Sequence, residues 1–206
     1  MSHAKRLTRR FFRRDPETLA RALLGQVLVR RLPNGKLLSG RIVEVEAYLG
    51  IEDKAAHTYG GRRTERNASM WFDGGHAYIY FTYGMHYCMN VVSARAEVPT
   101  ACLIRALEPL EGLDEMRRRR ARTRLPARLK DSDLCSGPAK LTQALGIDRQ
   151  LDGVDLVTSD ELFLVRGRKV LGANLTVAPR VGISYAKEWA WKPLRFFLRG
   201  NPHVSR

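Results

Sequence analysis

The chain has 206 residues, 44% of them hydrophobic, and we predict a single domain over residues 1–206 with its own core. No apolar run approaches the ~18 residues of a membrane-spanning helix, and the N-terminus lacks the apolar stretch of a signal peptide. The net charge of +15, from 36 Lys and Arg against 21 Asp and Glu, favours a nucleic acid as partner. An anionic membrane surface is a weaker alternative because no amphipathic basic helix stands out, so we expect no membrane partner.

The cysteines and histidines form no pattern typical of a disulfide framework or a metal site. The three cysteines are an odd number without a CxxC pair, and the five histidines show neither HxxxH nor HExxH spacing. We therefore expect no metal, no cofactor and a reduced, cytoplasmic location, associated with the nucleoid if the source is bacterial.

The N-terminal residues 1–14 are basic, and we expect them to be flexible. Asp15 followed by Pro16 is typical of a helix start, because an acidic N-cap accepts backbone N–H bonds and proline suits the first helical position. After that helix, Asn34-Gly35 lies between two apolar runs, which predicts an antiparallel hairpin.

The second arm of that hairpin continues into RIVEVEAYLGIEDKAAH (41–57). Because strand side chains alternate between faces, Glu44, Glu46 and Tyr48 share the face opposite an apolar stripe. Two carboxylates and a phenol on one face are typical of an active site. A half-buried strand with one solvated face has the same pattern.

Residues 50–75 are rich in glycine and are predicted to be a loop containing the basic segment GGRRTERN (60–67). This segment fits either a solvated loop or a surface that contacts phosphates. The following stretch, HAYIYFTYGMHYCMNVVSA (76–94), predicts two strands around a turn at Gly84. Its aromatic residues are typical of sheet core, or, in so basic a protein, of a platform on which bases stack.

The next two segments predict a strand, a helix and a charged stretch. In ACLIRALEPLEG (101–112) we expect the strand to end at Arg105 and a helix to open at Glu108-Pro109. The run RRRRARTRLPARLK (117–130) is typical of a solvated helix face or a mobile loop with a general attraction for phosphate.

The last part of the chain predicts one short helix and three strands. The helix lies within 135–148, with Ser136 as its cap, and its N-terminus suits an anion. The strands are predicted at 162–167, 180–185 and 194–200.

Five long segments follow one another in the chain: EVEAYLGIEDKAAHTYGGRRTERN, YIYFTYGMHYCMN, CLIRALEPLEGL, LCSGPAKL and RVGISYAKEWAWKPLRFFLRGNP. Together they closely resemble the alkyladenine (3-methyladenine or methylpurine) DNA glycosylase family, of the type found in mammals and many bacteria. The motif of helix-hairpin-helix glycosylases is not recognisable in the sequence. The resemblance implies one α+β domain with a curved, mainly antiparallel and barrel-like sheet, peripheral helices and a protruding β-hairpin at about 76–92.

The resemblance also implies a monomeric, monofunctional DNA repair enzyme. Such an enzyme flips an alkylated or deaminated purine out of duplex DNA and hydrolyses the N-glycosidic bond with an activated water, leaving an abasic site. Its partner is double-stranded DNA that contains damaged purines, without a metal or cofactor.

The catalytic residues implied by the resemblance surround the attacking water. The glutamate of the E-A-Y motif, here Glu46, orients and deprotonates that water and stabilises the oxocarbenium-like transition state. Arg105 matches the arginine that helps to hold the water, and a main-chain carbonyl near Val181 is similar to its third ligand. Glu44 matches no assigned role and is interpreted as structural.

The resemblance assigns further residues to three tasks. The pocket for the extruded base corresponds to Tyr48, His57, Tyr80 and Asn90. The wedge that fills the gap left by the flipped nucleotide corresponds to Tyr83, flanked by Met85 and His86. The positions near the DNA backbone are Arg62, Thr64, Arg66 and Lys140.

Strand parity gives an independent expectation for the hairpin. If Tyr80 and Asn90 both face the pocket, the loop must have an odd number of residues, and the sum of their numbers puts it at 84–86 with Tyr83 opposite Tyr87. We therefore predict this three-residue loop or an equivalent bulge.

Two functions of other classes remain open from the sequence. One is a nucleic-acid-binding domain that keeps the basic surface and the aromatic hairpin without catalysis. The other is a metal-dependent nuclease whose ligands would be Glu44, Glu46, Glu52 and Asp53.

Overall fold

An eight-stranded antiparallel sheet organises the part of the chain that the structure, a computed structural model, describes: residues 5–82, 84–121 and 129–205. The strands are β1 (Val27–Arg31), β2 (Leu37–Tyr48), β3 (Ala77–Thr82), β4 (His86–Ser93), β5 (Thr100–Glu111), β6 (Leu162–Val165), β7 (Leu175–Ala178) and β8 (Arg195–Leu198). Six of them follow the order β3-β4-β5-β2-β1-β6, and β8 joins β7 to β2.

Five α-helices lie around this sheet in the described ranges: α1 (Arg9–Phe12), α2 (Pro16–Leu23), α3 (Leu113–Arg120), α4 (Asp131–Leu134) and α5 (Pro138–Leu145). The mixed content and the curled antiparallel sheet confirm the predicted α+β class. None of the helices in the described ranges has the length and apolarity needed to cross a membrane.

Helix α2 begins where the sequence predicts. Asp15 is its N-cap and accepts a 2.9 Å hydrogen bond from the Thr18 amide, and Pro16 occupies the first turn. The residues before it differ from the prediction of a flexible segment. Leu7 and Phe12 are buried in the main core, where the Leu7 amide bonds the carbonyl of Leu164 on β6 and Phe12 ends α1; residues 1–4 lie outside the described part.

Strand β2 is the centre of the sheet. It pairs with β5 along one edge and with β1 and β8 along the other, which confirms the predicted β1–β2 hairpin. Residues 42–47 are all buried, with Glu44 and Glu46 fully inaccessible to solvent. The alternative of a strand with one solvated face is therefore wrong, because other elements cover both faces.

Strand β5 continues six residues beyond its predicted end. Glu108 and Pro109 pair with residues of β2 instead of opening a helix, and α3 begins only after Gly112. A register shift beside Pro109 lets the sheet accommodate its missing N–H donor. A second irregularity leaves Arg105 between two paired residues of β5, a bulge of the kind that re-aims side chains next to active sites.

Two other elements differ from the sequence prediction. Residues 180–185 do not form a strand, because Gly182 adopts a φ of +76° and the chain bends there before a 3-10 turn over Ser184–Trp191. Helix α5 is capped by Gly137, with Pro138 in its first turn, and not by Ser136.

The aromatic hairpin β3–β4 forms as predicted, but its strands pair two residues away from the predicted register, which moves the centre of the hairpin from residue 85 to residue 84. Tyr80 pairs with Cys88, Tyr78 with Asn90, and Thr82 with His86, so three residues separate the last paired positions, and the predicted loop at 84–86 is wrong because His86 is itself paired. The odd-numbered loop is confirmed, and Tyr80 and Asn90 share one face as diagonal neighbours.

The predicted pairing of Tyr83 with Tyr87 is wrong, because Tyr87 pairs with Phe81. Tyr83 itself, like residues 122–128 of the basic run, lies outside the described residues. The described start of that run belongs to α3, where Arg118 and Arg119 pair with Glu115 on the helix.

Candidate active site

A cavity of about 210 Å³ opens between the carboxylate face of β2, the hairpin and the bend after β7. Its lining combines aromatic, basic and small residues: Tyr48, Ala55, Ala56, His57, Arg66, Met70, Tyr78, Tyr80, Thr82, Cys88, Asn90, Leu103, Arg105, Pro138, Val181, Gly182, Ile183 and Tyr185. Its volume lies below the ~300–1,000 Å³ of pockets for drug-sized ligands. The cavity therefore suits one small group.

Glu46 lies beneath this cavity and is covered by three residues that line it. The Val181 amide donates a 2.7 Å hydrogen bond to Oε1, and the Tyr48 hydroxyl donates a 3.1 Å bond to Oε2. Arg105 Nη1 lies 3.3 Å from Oε1. The contact from Val181 is thus made by its amide, and the water-holding role of a carbonyl near Val181 stays a prediction.

Glu46 and Arg105 change each other's pKa. Burial raises the pKa of Glu46 and outweighs the opposing effects of the Arg105 charge, the Val181 amide and the Tyr48 hydroxyl. Burial alone would lower the pKa of Arg105, but Glu46 and Glu44 raise it, so Arg105 stays charged. A carboxylate of raised basicity beside a fixed positive charge suits a general base.

Tyr48 forms one wall and is supported from behind by a buried ion pair. The guanidinium carbon of Arg180 lies 4.6 Å from the centroid of the Tyr48 ring. Two nitrogens of Arg180 bond Asp53 at 2.5 and 2.8 Å, and both side chains are fully buried. Burial and the neighbouring Glu46 raise the pKa of Tyr48 well above its ordinary value, so its hydroxyl remains a donor.

The opposite wall consists of His57, Tyr78 and Tyr80. His57 Nδ1 lies 2.6 Å from the Tyr78 hydroxyl, and its ring meets Tyr80 edge to face at 4.6 Å between centroids. Desolvation, with the positive charges of Arg66 and Arg62, lowers the pKa of His57 to about 4. A neutral imidazole is therefore held by one nitrogen and keeps the other for a ligand.

Asn90 lies at the inner end of the cavity. It is buried, and its Nδ2 donates a 3.1 Å hydrogen bond to the carbonyl of Tyr78 on the partner strand. This bond fixes the side chain, so a group that enters the cavity meets a rigid obstacle.

The basic loop lies at the mouth of the cavity. Arg62, Thr64 and Arg66 line a second cavity of about 310 Å³ that shares residues with the first. Arg66 also donates a 2.9 Å hydrogen bond to the Phe81 carbonyl, and its guanidinium carbon lies 5.9 Å from the Tyr80 ring centroid. Arg66 is thus part of the pocket wall as well as of the basic rim.

The other predicted DNA contacts are distributed over two places. Met85 is 70% exposed at the hairpin tip, with His86 half-buried beside it. Lys140 lies on α5, donates a 3.2 Å hydrogen bond to Ser136 and lines a separate polar cavity with Lys130. Contact of these residues with DNA stays a prediction.

Several residues of the site were missed from the sequence. Tyr78 could have been predicted from the sequence, because it lies two residues before Tyr80 on β3 and therefore shares its face. The pairing of Arg180 with Asp53 carried no such signal, since the two residues are 127 positions apart in the chain. The sequence predicts a strand over Gly182 and Ile183, at the bend after β7, and so gives no reason to expect them in the lining of a pocket.

Comparison with known proteins gives a consistent result. The profile of a family described as Methylpurine-DNA glycosylase (MPG) matches residues 10–202. The chain is 52% identical over 208 residues to "DNA-3-methyladenine glycosylase" of Homo sapiens, an alignment that covers 98% of the chain and 69% of that protein. The mouse protein of the same name is also 52% identical, with 62% of its length covered.

A bacterial relative is matched over almost its whole length. The "Putative 3-methyladenine DNA glycosylase" of Clostridium acetobutylicum is 44% identical over 205 residues, which cover 97% of each chain. Identity of this extent, with a family match over most of the sequence, leaves no doubt about kinship. The chain therefore belongs to the methylpurine-DNA glycosylase family and is a DNA glycosylase.

Proposed function

We propose that this enzyme accepts a damaged purine flipped out of duplex DNA and hydrolyses its N-glycosidic bond with a water activated by Glu46, leaving an abasic site. The observation that carries the proposal is the buried Glu46 carboxylate beneath a cavity large enough for one base, with Arg105 at 3.3 Å. Alkylated purines, including the 3-methyladenine named in the relatives, are the proposed substrates.

The chemistry follows from where charge develops. As the bond to the base breaks, positive charge builds on the sugar, and the ionised Glu46 stabilises it while taking a proton from the attacking water. Arg105 and the Val181 main chain hold that water in line. Because burial raises the pKa of Glu46, this carboxylate is a stronger base than an exposed one.

The base itself is held by stacking and by shape. An electron-poor purine stacks on the rings of Tyr48 and Tyr80, which contributes about 1–3 kcal/mol per stacked base. His57 offers its free ring nitrogen to the base edge. Asn90 occupies the space that the 2-amino group of guanine would need and so disfavours normal guanine.

The hairpin tip and the basic residues account for access to the damaged base. Tyr83, flanked by Met85 and His86, fills the gap in the duplex and stabilises the flipped state. Arg62, Thr64, Arg66 and Lys140 contact phosphates, in agreement with a net charge of +15. The sites of these contacts are those named by the family resemblance.

Two alternatives have less support. A binding domain without catalysis has no need of a buried carboxylate–arginine pair beside its pocket. For the nuclease, Glu44 and Glu46 are both paired with Arg105 and Asp53 is paired with Arg180, so three of the four candidate metal ligands are already held by arginines. Among the described residues, no three His, Cys, Asp or Glu side chains form a metal-binding group.

The test is release of free base from a defined duplex. Wild-type protein is incubated with DNA that contains one 3-methyladenine, 7-methylguanine, hypoxanthine or ethenoadenine, in the presence of a chelator, and abasic sites are cleaved with hot alkali. We expect strand cleavage only after alkali. Cleavage without alkali, or a requirement for a divalent ion, would support the nuclease, and tight binding without base release would support the binding domain.

A further inference from the structure

Glu44 is a second buried carboxylate that the proposed mechanism does not use. It lies two residues before Glu46 on the same face of β2 and is fully inaccessible to solvent. Its Oε1 accepts hydrogen bonds from Arg105 Nε at 3.1 Å, Arg195 Nη1 at 3.0 Å and Ser205 Oγ at 2.9 Å. Its Oε2 accepts a 2.7 Å bond from the Ser205 amide.

Arg105 bridges the two carboxylates. Its Nε bonds Glu44, its Nη1 lies 3.3 Å from Glu46 Oε1, and its Nη2 donates to Ser205 Oγ at 3.3 Å. A guanidinium is planar, so fixing its Nε side also fixes the direction in which Nη1 points. Glu44 and Ser205 therefore determine how much of Arg105 faces Glu46.

Segment 201–205 holds Ser205 in this position. Asn201 Nδ2 donates a 3.2 Å hydrogen bond to Glu108 on β5, and Glu108 is itself paired with Arg41 at 2.7 Å. The amide of His203 bonds the Asn201 side chain at 2.9 Å, which closes a turn just before Ser205. The segment is thus fastened to the sheet independently of Glu44.

The alternative orientation of Arg105 shows what this arrangement prevents. Without Glu44, the guanidinium could turn two nitrogens to Glu46 and form the bidentate pair that arginine prefers with a carboxylate. Glu46 would then be a weaker base, with more of its oxygen lone pairs occupied. Holding Arg105 by its Nε leaves one arginine nitrogen on Glu46 and keeps the rest of the carboxylate for the water.

We propose that Glu44 and Ser205 are positioning residues that clamp Arg105 and keep it from pairing with Glu46 through two nitrogens. The proposal rests on the proposed function, since it assigns the clamp a role in activating the water. Nothing in it requires Glu44 or Ser205 to touch the substrate. Its consequence is that segment 201–205, which does not line the pocket itself, controls the chemical step through Arg105.

The experiment compares Glu44→Gln, Ser205→Ala and a matched control, Ser93→Ala. Ser93 is also a buried serine, and it bonds Thr100 at 2.8 Å without touching Arg105 or either carboxylate. For each variant we measure single-turnover base release against pH, affinity for DNA with an abasic-site analogue, and the thermal midpoint. Concentrations of active enzyme are determined with the analogue.

For the clamp we expect the rate of Glu44→Gln to fall by about tenfold or more and that of Ser205→Ala by about threefold, with analogue affinity within about twofold of wild type. In both variants the acidic limb of the pH profile should move to lower pH, by about half a unit, because Arg105 turns toward Glu46. Ser93→Ala should lower only the thermal midpoint and leave the rate, the pH profile and the analogue affinity unchanged.

Wild-type rates and pH profiles in both Glu44→Gln and Ser205→Ala would overturn the clamp and leave the proposed function intact. If Glu44→Gln does not fold, Ser205→Ala alone tests the clamp. This variant keeps the hydrogen bond from the backbone amide of residue 205 to Glu44 and loses only the hydroxyl. A shift of the limb to higher pH would also contradict the proposal. An inactive wild-type chain would instead overturn the proposed function and the clamp with it.

Discussion

Glu46→Gln should abolish base release without disturbing the structure around it. The amide oxygen of glutamine can keep the position of Oε1, where it accepts from the Val181 amide and faces Arg105. The amide nitrogen then takes the place of Oε2 and donates to Tyr48, whose hydroxyl rotates to accept. Every neighbour of Glu46 thus retains a partner, and only the base is lost.

The expected loss in single-turnover rate is at least ~100-fold, the scale of one general base, or about 2.7 kcal/mol of transition-state stabilisation. Affinity for an abasic-site analogue should remain close to that of wild type, because Glu46 is fully inaccessible to solvent beneath Tyr48, Arg105 and Val181. A rate within about threefold of wild type would refute the role of Glu46 as general base.

The same variant should also be more stable at neutral pH. Burial raises the pKa of Glu46 in the folded state, so the folded state binds the proton more strongly than the unfolded state does. The resulting contribution to stability is fully present below the pKa of the unfolded state and is lost as pH rises through the pKa of the folded state. Glutamine removes the cost of the buried charge. We expect the thermal midpoint to rise at pH 7–8 and to equal that of wild type in acid; a lower midpoint at pH 7–8 would contradict this argument.

Three further predictions concern DNA and the pocket. Lys140→Ala should flatten the slope of log K against log salt by about one unit, and an unchanged slope would exclude a phosphate contact. Tyr83→Ala should slow release of every lesion, whereas Asn90→Ser should speed 7-methylguanine relative to hypoxanthine; the opposite pattern would exchange their roles. By NMR, the pKa of His57 should lie below its ordinary value of 6.5, and Arg66→Gln should raise it because the Arg66 charge is one of the causes of the shift.

Local patterns carried most of what could be predicted. The period of two along β2 placed Glu44, Glu46 and Tyr48 on one face, because successive side chains of a strand alternate between its two faces. Asp15 and Pro16 marked the start of α2 for a similarly local reason. The family resemblance then identified Glu46, and not Glu44, as the expected general base, a choice that the alternation of side chains alone could not make.

The errors arose where tertiary contacts override local preference. Glu108-Pro109 is a common helix start, but pairing with β2 keeps it in the sheet. Residues 180–185 alternate like a strand, yet the bend at Gly182 turns the Val181 amide toward Glu46. The bond between Glu44 and Ser205 spans 161 residues, and no local pattern encodes such a contact.

The ion pair behind Tyr48 leads to a prediction about the choice of lesion. Arg180 lies over one face of the Tyr48 ring, and the ring also lines the pocket in which we propose that the base stacks. A cation on one face draws electron density away from the other, so the ring attracts a cationic base less strongly. Removing Arg180 should therefore favour cationic lesions over neutral ones.

Because Arg180→Met alone leaves Asp53 charged and unpaired in the core, it should cost about 3–5 kcal/mol of stability. The double variant Asp53→Asn/Arg180→Met avoids that charge and is the one to assay. In it, the ratio of single-turnover rates for 7-methylguanine over hypoxanthine should rise between about 2- and 30-fold, the equivalent of 0.5–2 kcal/mol. Arg21→Met is the matched control, since Arg21 lies 4.5 Å from the Phe196 ring, away from the pocket. An unchanged ratio in the double variant, or an equal rise in the control, would show that Arg180 only supports the fold.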